Sequence, residues 1–188
     1  ETVAGYGVAT RLEFFSLAAV NALAAVMGPF IGQNLGARKP YRVLEGFRTG
    51  ERISLAVGTF FFALFLALGP VIAGAFSDSA EVVAVTTAYM RLVALGYAFQ
   101  GIYLIAVPAL NVMGRPLWAA GLGILEMFVL VVPLALLGSA MAGATGAFVG
   151  IGGAYIITGL ASAWLFRRVH TAMRAKMTTV GDQTVTIP

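Results

Sequence analysis

Apolar residues dominate the chain in long runs that are separated by short polar or basic breaks. Five runs are long enough to cross the ~30 Å hydrocarbon core of a bilayer as helices, which takes about 20 residues each. They cover residues 6–32, 53–76, 92–113, 117–137 and 144–166. None shows the alternation of a barrel strand, and all exceed the length of one. The pattern predicts an all-α, polytopic membrane helix bundle of about five transmembrane helices.

Composition supports the same fold class and excludes several functions. Hydrophobic residues make up 60% of the 188 residues and charged residues 11%, whereas a soluble domain carries about 25% charged residues. There is no cysteine, and His170 is the single histidine, so disulfides and thiolate or histidine-rich metal sites are excluded. No zinc-protease, serine-hydrolase, phosphate-loop or dinucleotide motif occurs. We therefore expect neither an enzyme nor a cofactor.

Basic residues mark alternate connections between the runs. They cluster between the first and second runs, recur at Arg115 between the third and fourth, and follow the fifth from Arg167 onward. The breaks at 77–79 and 138–143 contain none, and Arg91 is the last residue before the third run. Because basic residues collect on the cytoplasmic side, we expect the N-terminus outside, the C-terminus in the cytoplasm, and a multi-pass protein of the inner (plasma) membrane. The net charge of +4 then reflects topology and does not indicate nucleic-acid binding.

Two segments outside the runs have weaker patterns. Residues 40–52 suit an amphipathic helix on the membrane surface, and a plain basic loop explains them equally well. The polar, β-branched stretch 178–188 is interpreted as a disordered cytoplasmic tail. This leaves residues 1–177 as the membrane domain.

Two glutamates lie inside the apolar runs and are candidates for cation coupling. Glu126 is about nine residues into the fourth run, which places it ~14 Å deep at 1.5 Å per residue. An ionised carboxylate there costs several kcal/mol unless it is paired, protonated or facing water. Glu13 lies in the first run. The alternative for both is structural: a salt bridge from Glu126 to Arg91 or Arg11, or a helix–helix pair for Glu13.

Polar and aromatic residues give candidates for a substrate cavity. Asn21 shares a face of the first helix with Glu13. In the third run, Tyr97, Gln100, Tyr103 and Asn111 form a second stripe. Aromatic rings and amides suit large, flat, cationic ligands through stacking and cation–π contacts. Interhelical hydrogen bonding with ordinary packing is the alternative.

Two segments carry a resemblance to a known family. The stretch from Tyr6 to Glu13 leads into Gly32-Gln33-Asn34-Leu35-Gly36-Ala37, which resembles the eighth helix of the MATE family and its cytoplasmic signature. Val132-Pro133-Leu134-Ala135 is similar to the eleventh helix. Structural roles are expected for Gly32, Gln33, Asn34, Gly36, Ala37 and Pro133: the glycines allow a tight helix exit, and the amides cap free carbonyls.

The resemblance implies a twelve-helix transporter of two six-helix lobes that exchanges protons or sodium ions for organic cations. This chain would be its eighth to twelfth helices, and it begins without methionine, as a chain entered partway does. Its partners would be the bilayer, the N-terminal lobe and an organic cation. Gln100 stands near where many relatives carry an acidic residue, and Glu126 stands where relatives often have arginine. The alternatives are a lipid-linked saccharide flippase of the same superfamily and a membrane scaffold that transports nothing.

Overall fold

A computed structural model describes the backbone of residues 2–183 and the side chains of residues 3–175, and this part of the chain is helical except at short connections. The helices are α1 (Thr2–Gly36), α2 (Pro40–Gly74), α3 (Ala80–Val93), α4 (Tyr97–Val112), α5 (Pro116–Ile124) and α6 (Val132–Gln183). A 3₁₀ turn, Ala94–Gly96, joins α3 to α4, and a π-helical turn, Leu125–Val131, joins α5 to α6. Four continuous helical stretches are long and apolar enough to cross a membrane: Val3–Gly36, Pro40–Gly74, Ala80–Val112 and Pro116–Ala175. The predicted polytopic helix bundle is confirmed.

The last of these stretches reverses direction within its length. Its 60 residues would extend about 90 Å as one straight helix. The backbone leaves helical geometry at Ala142 (φ −143°, ψ 26°) and Gly143 (φ 59°, ψ −143°). On the two sides of this break, Gly138 packs directly on the Gly146 carbonyl and Gly150 on the Leu134 carbonyl. These pairs are symmetric about the break, so the chain folds back as an antiparallel hairpin. The number of crossings and their orientation stay predictions.

Two boundaries differ from the sequence prediction. Residues 40–52 form neither a separate surface helix nor a loop, because α2 runs unbroken from Pro40 through them. The third helical stretch begins at Ala80, where the Ser79 side chain accepts a hydrogen bond from the Val82 amide at 3.5 Å. The predicted start at residue 92 is late because Thr86, Thr87 and other polar residues interrupt the hydropathy, although both threonines are buried.

The C-terminal end of α6 overlaps the predicted tail. The helix continues to Gln183, so it includes the first six positions of the 178–188 segment. Residues 184–188 lie outside the part of the chain that the structure describes.

Helix α4 lies at the centre of the bundle and packs on α1, α2 and α6. One buried cluster joins these helices around Val20, Phe47, Ile105 and Phe166, with the Phe47 and Phe166 rings stacked at 3.6 Å between centroids. A second cluster, which includes Tyr89, Tyr97 and Phe148, fills the other half. Between the two clusters, α2 and the start of α4 approach so closely that a Cβ on Gly58 would overlap the Ala98 backbone.

Candidate functional site

The Glu13 side chain on α1 is held by tyrosines from two other helices. The Tyr89 hydroxyl of α3 donates a short hydrogen bond to Oε2. The Tyr155 hydroxyl of α6 donates to Oε1 at 2.9 Å. Both carboxyl oxygens therefore have a neutral donor, and α1, α3 and α6 meet at one group.

Glu126 forms a second site in the π-helical turn between α5 and α6. The Gln100 side-chain amide of α4 donates to its Oε1 at 2.7 Å, and the Tyr103 hydroxyl lies near the same carboxyl group. π-Helical turns inside α-helices often occur at functional sites. Here the turn spans Leu125–Val131, so it contains the only carboxylate of the α5–α6 apolar stretch in the described structure.

A cavity of about 360 Å³ opens beside Glu13 and reaches Gln100. Its wall is mainly aromatic and polar: Tyr6, Thr10, Glu13, Phe14, Leu17, Asn21, Tyr89, Gln100, Leu104 and Tyr155. Gln100 lines this cavity and also bonds Glu126. The two carboxyl sites are therefore linked through one side chain.

Neither glutamate has a basic partner within the described part of the chain. Among residues 3–175, no arginine or lysine forms a salt bridge with Glu13 or Glu126. Arg91 instead donates to the Leu66 carbonyl at 3.1 Å, and Arg11 is exposed. The alternative of a salt bridge from Glu126 to Arg91 or Arg11 is therefore not what the structure shows. A carboxylate in an apolar bundle without a counter-ion is costly, so each group is suited to take up a proton or a small cation. Across the same residues no three acidic or histidine side chains converge on a common point as a metal site would require.

The cavity brings together some of the predicted residues and separates others. Glu13, Asn21 and Gln100 line it, and Glu126 adjoins it through Gln100. Tyr103 lies near Glu126 and does not line the cavity. Tyr97 does not line it, because its ring is fully buried against apolar neighbours such as Phe65. Asn111 is exposed near the other end of α4.

The physical reason is the helical repeat. At 100° per residue, Tyr97 and Tyr103 lie about 120° apart on the α4 surface. They therefore contact different neighbours, and the stripe that the sequence predicts along α4 is too wide to face one cavity. Gln100 lies between them and is the member that faces both the cavity and Glu126.

Sequence reasoning missed the tyrosines that hold Glu13. Tyr89 precedes the predicted start of its helix, so it was outside every predicted span. Tyr155 shares a face of the last apolar run with Thr158 and Ser162, a pattern more typical of packing than of function. The latter two donate to carbonyls of their own helix, at 2.9 and 2.7 Å, whereas Tyr155 reaches across to α1. The available signal was chemical: a phenol is long enough to reach a carboxyl group on a neighbouring helix.

The residues of the α1 signature lie at the end of that helix, away from the cavity. Gly32 lets α1 approach α4, since a Cβ there would lie 3.3 Å from the Val112 side chain. The Asn34 side-chain amide donates to the Phe30 carbonyl at 2.8 Å. The Ala37 backbone amide donates to the Gln33 carbonyl at 3.0 Å. Gly36 has open space around it and an ordinary φ.

Two further details concern the same motif residues. The left-handed residue of the turn after α1 is Arg38, with φ 55°, and not either of the glycines that were expected to provide the tight exit. Pro133 follows the π-helical turn inside the continuous helical stretch Pro116–Ala175, so the helix lacks one backbone hydrogen bond at this position.

Residues 1–137 match the MatE family. This range covers more than half of the chain and includes α1, α4, both glutamates and the signature at the end of α1. The chain belongs to the MatE family. It is a multi-pass membrane protein, and the relatives described below are transporters, not enzymes.

Known relatives of this MATE chain are longer than it is. A FAD transporter of Shewanella oneidensis is 30% identical over 173 residues, which is 92% of this chain and 38% of that protein. The Vibrio cholerae MATE transporter VcmN in its bent form superposes with a TM-score of 0.87 at 24% identity, over 90% of this chain and 39% of that one. A MATE protein in complex with MaL6 superposes with a TM-score of 0.86 at 16% identity, over 92% and 40%. The chain thus spans about two-fifths of each relative, and the fold is that of a MATE transporter fragment.

Proposed function

We propose that this MATE chain is the C-terminal part of a secondary active exporter that expels organic cations in exchange for protons or sodium ions. The observation that carries the proposal is Glu13: a carboxyl group at a cavity, held by two tyrosine hydroxyls, without a salt-bridge partner among residues 3–175. Such a group needs a cation or a proton to be neutral. An exporter needs a site at which the coupling ion and a cationic substrate exclude each other.

The exchange follows from this one charge. With a proton bound, Glu13 is neutral and the cavity has little attraction for a cationic drug. When an organic cation enters, its charge favours the ionised carboxylate, and the hydroxyls of Tyr89 and Tyr155 stabilise that form by donating to it. The Tyr6 ring, which is 44% exposed and lines the cavity, offers an aromatic face for cation–π contact. Substrate and proton then compete for the same carboxyl group.

Glu126 is the second coupling group in this proposal. Gln100 bonds Glu126 and also lines the cavity. The charge of Glu126 can therefore affect the Glu13 carboxyl group without a direct contact between the two. Its place in the π-helical turn makes its position sensitive to a change in the hydrogen-bond register of that helix.

The rest of the transporter completes the function. The proposed partners are the bilayer of the inner (plasma) membrane, the N-terminal lobe of the same protein and the organic cation itself. Alternating access moves one helical repeat against the other around a site at mid-membrane, so transport requires both lobes.

Efflux of a fluorescent organic cation from cells that express the full-length transporter tests the proposal. Glu13→Gln and Glu126→Gln keep the size of each side chain and remove its charge. Glu45→Gln is the matched control, since Glu45 is an exposed carboxylate on α2. We expect Glu13→Gln to abolish gradient-driven efflux, Glu126→Gln to reduce it, and Glu45→Gln to leave it unchanged. Tolerance of both Glu13→Gln and Glu126→Gln favours a scaffold or a flippase and contradicts the proposal.

A second candidate is export of a flavin nucleotide. It is favoured by the 30% identical FAD transporter and by the aromatic cavity wall, which suits a flat ring system. The two carboxyl groups oppose it, because they repel the diphosphate of FAD. The same cells distinguish the two: release of FAD into the medium, with no dye efflux, supports the flavin substrate and excludes the cation.

A further inference from the structure

A groove with a basic mouth lies between α2, α4 and α6, on the side of the bundle that the charge pattern assigns to the cytoplasm. It has a volume of about 370 Å³ and is separate from the Glu13 cavity. The groove is lined on the α2 side by Arg48, Glu51 and Arg52, and on the α6 side by Arg167. Three guanidinium groups face one carboxylate, so two positive charges are uncompensated at the mouth.

The arginines at the mouth differ in how they are held. Glu51 is buried and accepts two hydrogen bonds from Nη2 of Arg167, at 2.8 and 3.0 Å. This fixes the Arg167 head at the mouth and leaves its other nitrogens free of hydrogen bonds to residues 3–175. Arg48 and Arg52 are exposed, and no other described side chain pairs with either. The mouth therefore has unused donors around one fixed guanidinium group.

Below the mouth the groove walls are apolar. Phe99, Ile102, Leu160 and Ala163 line it together with Leu55. Leu160 lies seven residues from Arg167, or about 10 Å along α6, in the direction of the membrane interior. Leu55 and Leu160 are 40% and 55% exposed, so the groove is open along its length. Positive charge at the membrane surface that continues into an apolar channel matches the polarity of one phospholipid molecule.

The walls are held in place by contacts that have no part in the Glu13 site. The Phe47 and Phe166 rings stack between α2 and α6, and the His170 ring lies on Phe166. The His170 Nε2 atom is 2.8 Å from the Pro40 carbonyl oxygen at the start of α2. This end of the bundle is therefore a preformed groove and not a gap between mobile helices.

We propose that the groove binds one anionic phospholipid of the cytoplasmic leaflet, with its phosphate at Arg48, Arg52 and Arg167 and an acyl chain along the apolar walls. Basic pockets between transmembrane helices on the cytoplasmic side bind anionic headgroups. A zwitterionic lipid has a cationic group that the same arginines repel, so the groove discriminates by headgroup charge.

Native mass spectrometry of the purified full-length transporter tests this. Phosphatidylglycerol and phosphatidylcholine with identical acyl chains are titrated onto delipidated protein. Arg48→Gln with Arg52→Gln should weaken phosphatidylglycerol binding about 25-fold, on the order of fivefold per arginine, without changing phosphatidylcholine binding. Arg38→Gln with Arg115→Gln removes two exposed charges from the same side of the membrane outside the groove, and should change phosphatidylglycerol binding less than about twofold. Arg167 is left intact, because its loss would leave Glu51 unpaired.

Two results would overturn the lipid assignment. Equal losses in the two double variants would show a diffuse surface charge effect and no site. Displacement of phosphatidylglycerol by an equal concentration of glycerol phosphate would show that the mouth binds a free phosphate and the apolar walls contribute nothing. We expect glycerol phosphate to leave the lipid bound.

Discussion

Replacing Arg167 by glutamine leaves the Glu51 carboxylate without its counter-ion. The Glu51 side chain is 10% exposed and the Arg167 side chain 55%, so one partner is buried and the other reaches water. Removing one member of a fully buried pair costs about 3–5 kcal/mol, and exposed pairs contribute about 0–1 kcal/mol. For this half-buried pair we expect Arg167→Gln to cost about 2 kcal/mol of the free energy of unfolding.

Substituting the other partner, Glu51, should cost less of the free energy of unfolding. Glu51→Gln leaves Arg167 charged, but its exposed head can be hydrated, so we expect a cost of about 1 kcal/mol. The double variant has neither an unpaired buried charge nor the pair. Its cost should therefore be smaller than the sum of the single costs, with a coupling energy of about 1 kcal/mol.

Denaturant unfolding of the purified full-length transporter in neutral detergent measures the cycle. Arg48→Gln is the matched control, because Arg48 is exposed and has no partner among the described side chains, and it should change the free energy of unfolding by less than about 0.5 kcal/mol. If Arg167→Gln costs no more than Arg48→Gln, or if the coupling energy is near zero, then the contact does not join α2 to α6 energetically and the reasoning is wrong.

Three substitutions test the packing, each by yield of folded transporter and by unfolding free energy. Gly58→Leu should prevent folding, since even a Cβ there overlaps the Ala98 backbone. Its control is Gly36→Ala, which lies in open space and should be neutral. Equal yields of the two variants would contradict the close approach of α2 and α4. Tyr97→Phe should be neutral or stabilising by up to about 1 kcal/mol, because the buried hydroxyl has no partner in the described structure; a large loss would indicate an unseen partner. Gly143→Ala should cost about 1–3 kcal/mol, since φ 59° with ψ −143° is a glycine conformation; no cost would mean that the hairpin turn adopts another geometry.

The fold class was predictable because membrane helices have a one-dimensional signal. A run of about 20 apolar residues is sufficient to identify a spanning helix. Three of the five predicted runs begin and end within helices of the structure, and the other two, 53–76 and 92–113, end one or two residues past a helix. The signal fails where polar residues are buried. The Thr86 hydroxyl donates to the Gly5 carbonyl at 3.0 Å, so a polar residue is accommodated inside α3. The hydropathy pattern instead predicts a connection between helices at this position.

The site was predictable in part, for the same reason. A carboxylate within an apolar run is conspicuous, so Glu13 and Glu126 could be singled out without a structure. Their partners depend on the way in which helices distant in sequence are packed: Tyr155 is separated from Glu13 by 142 positions. Neither spacing along the chain nor a helical wheel contains that information.

The central claim is that one carboxyl group, Glu13, binds the coupling ion that the substrate displaces. The most direct measurement is proton movement in liposomes that contain the full-length transporter and a pH indicator, after addition of tetraphenylphosphonium on one side. We expect wild type and Glu45→Gln to move protons against the organic cation, and Glu13→Gln, whose side chain is neutral like the protonated carboxyl group, to move none. A Glu13→Gln variant that still exchanges protons for the cation at the wild-type rate would contradict the account.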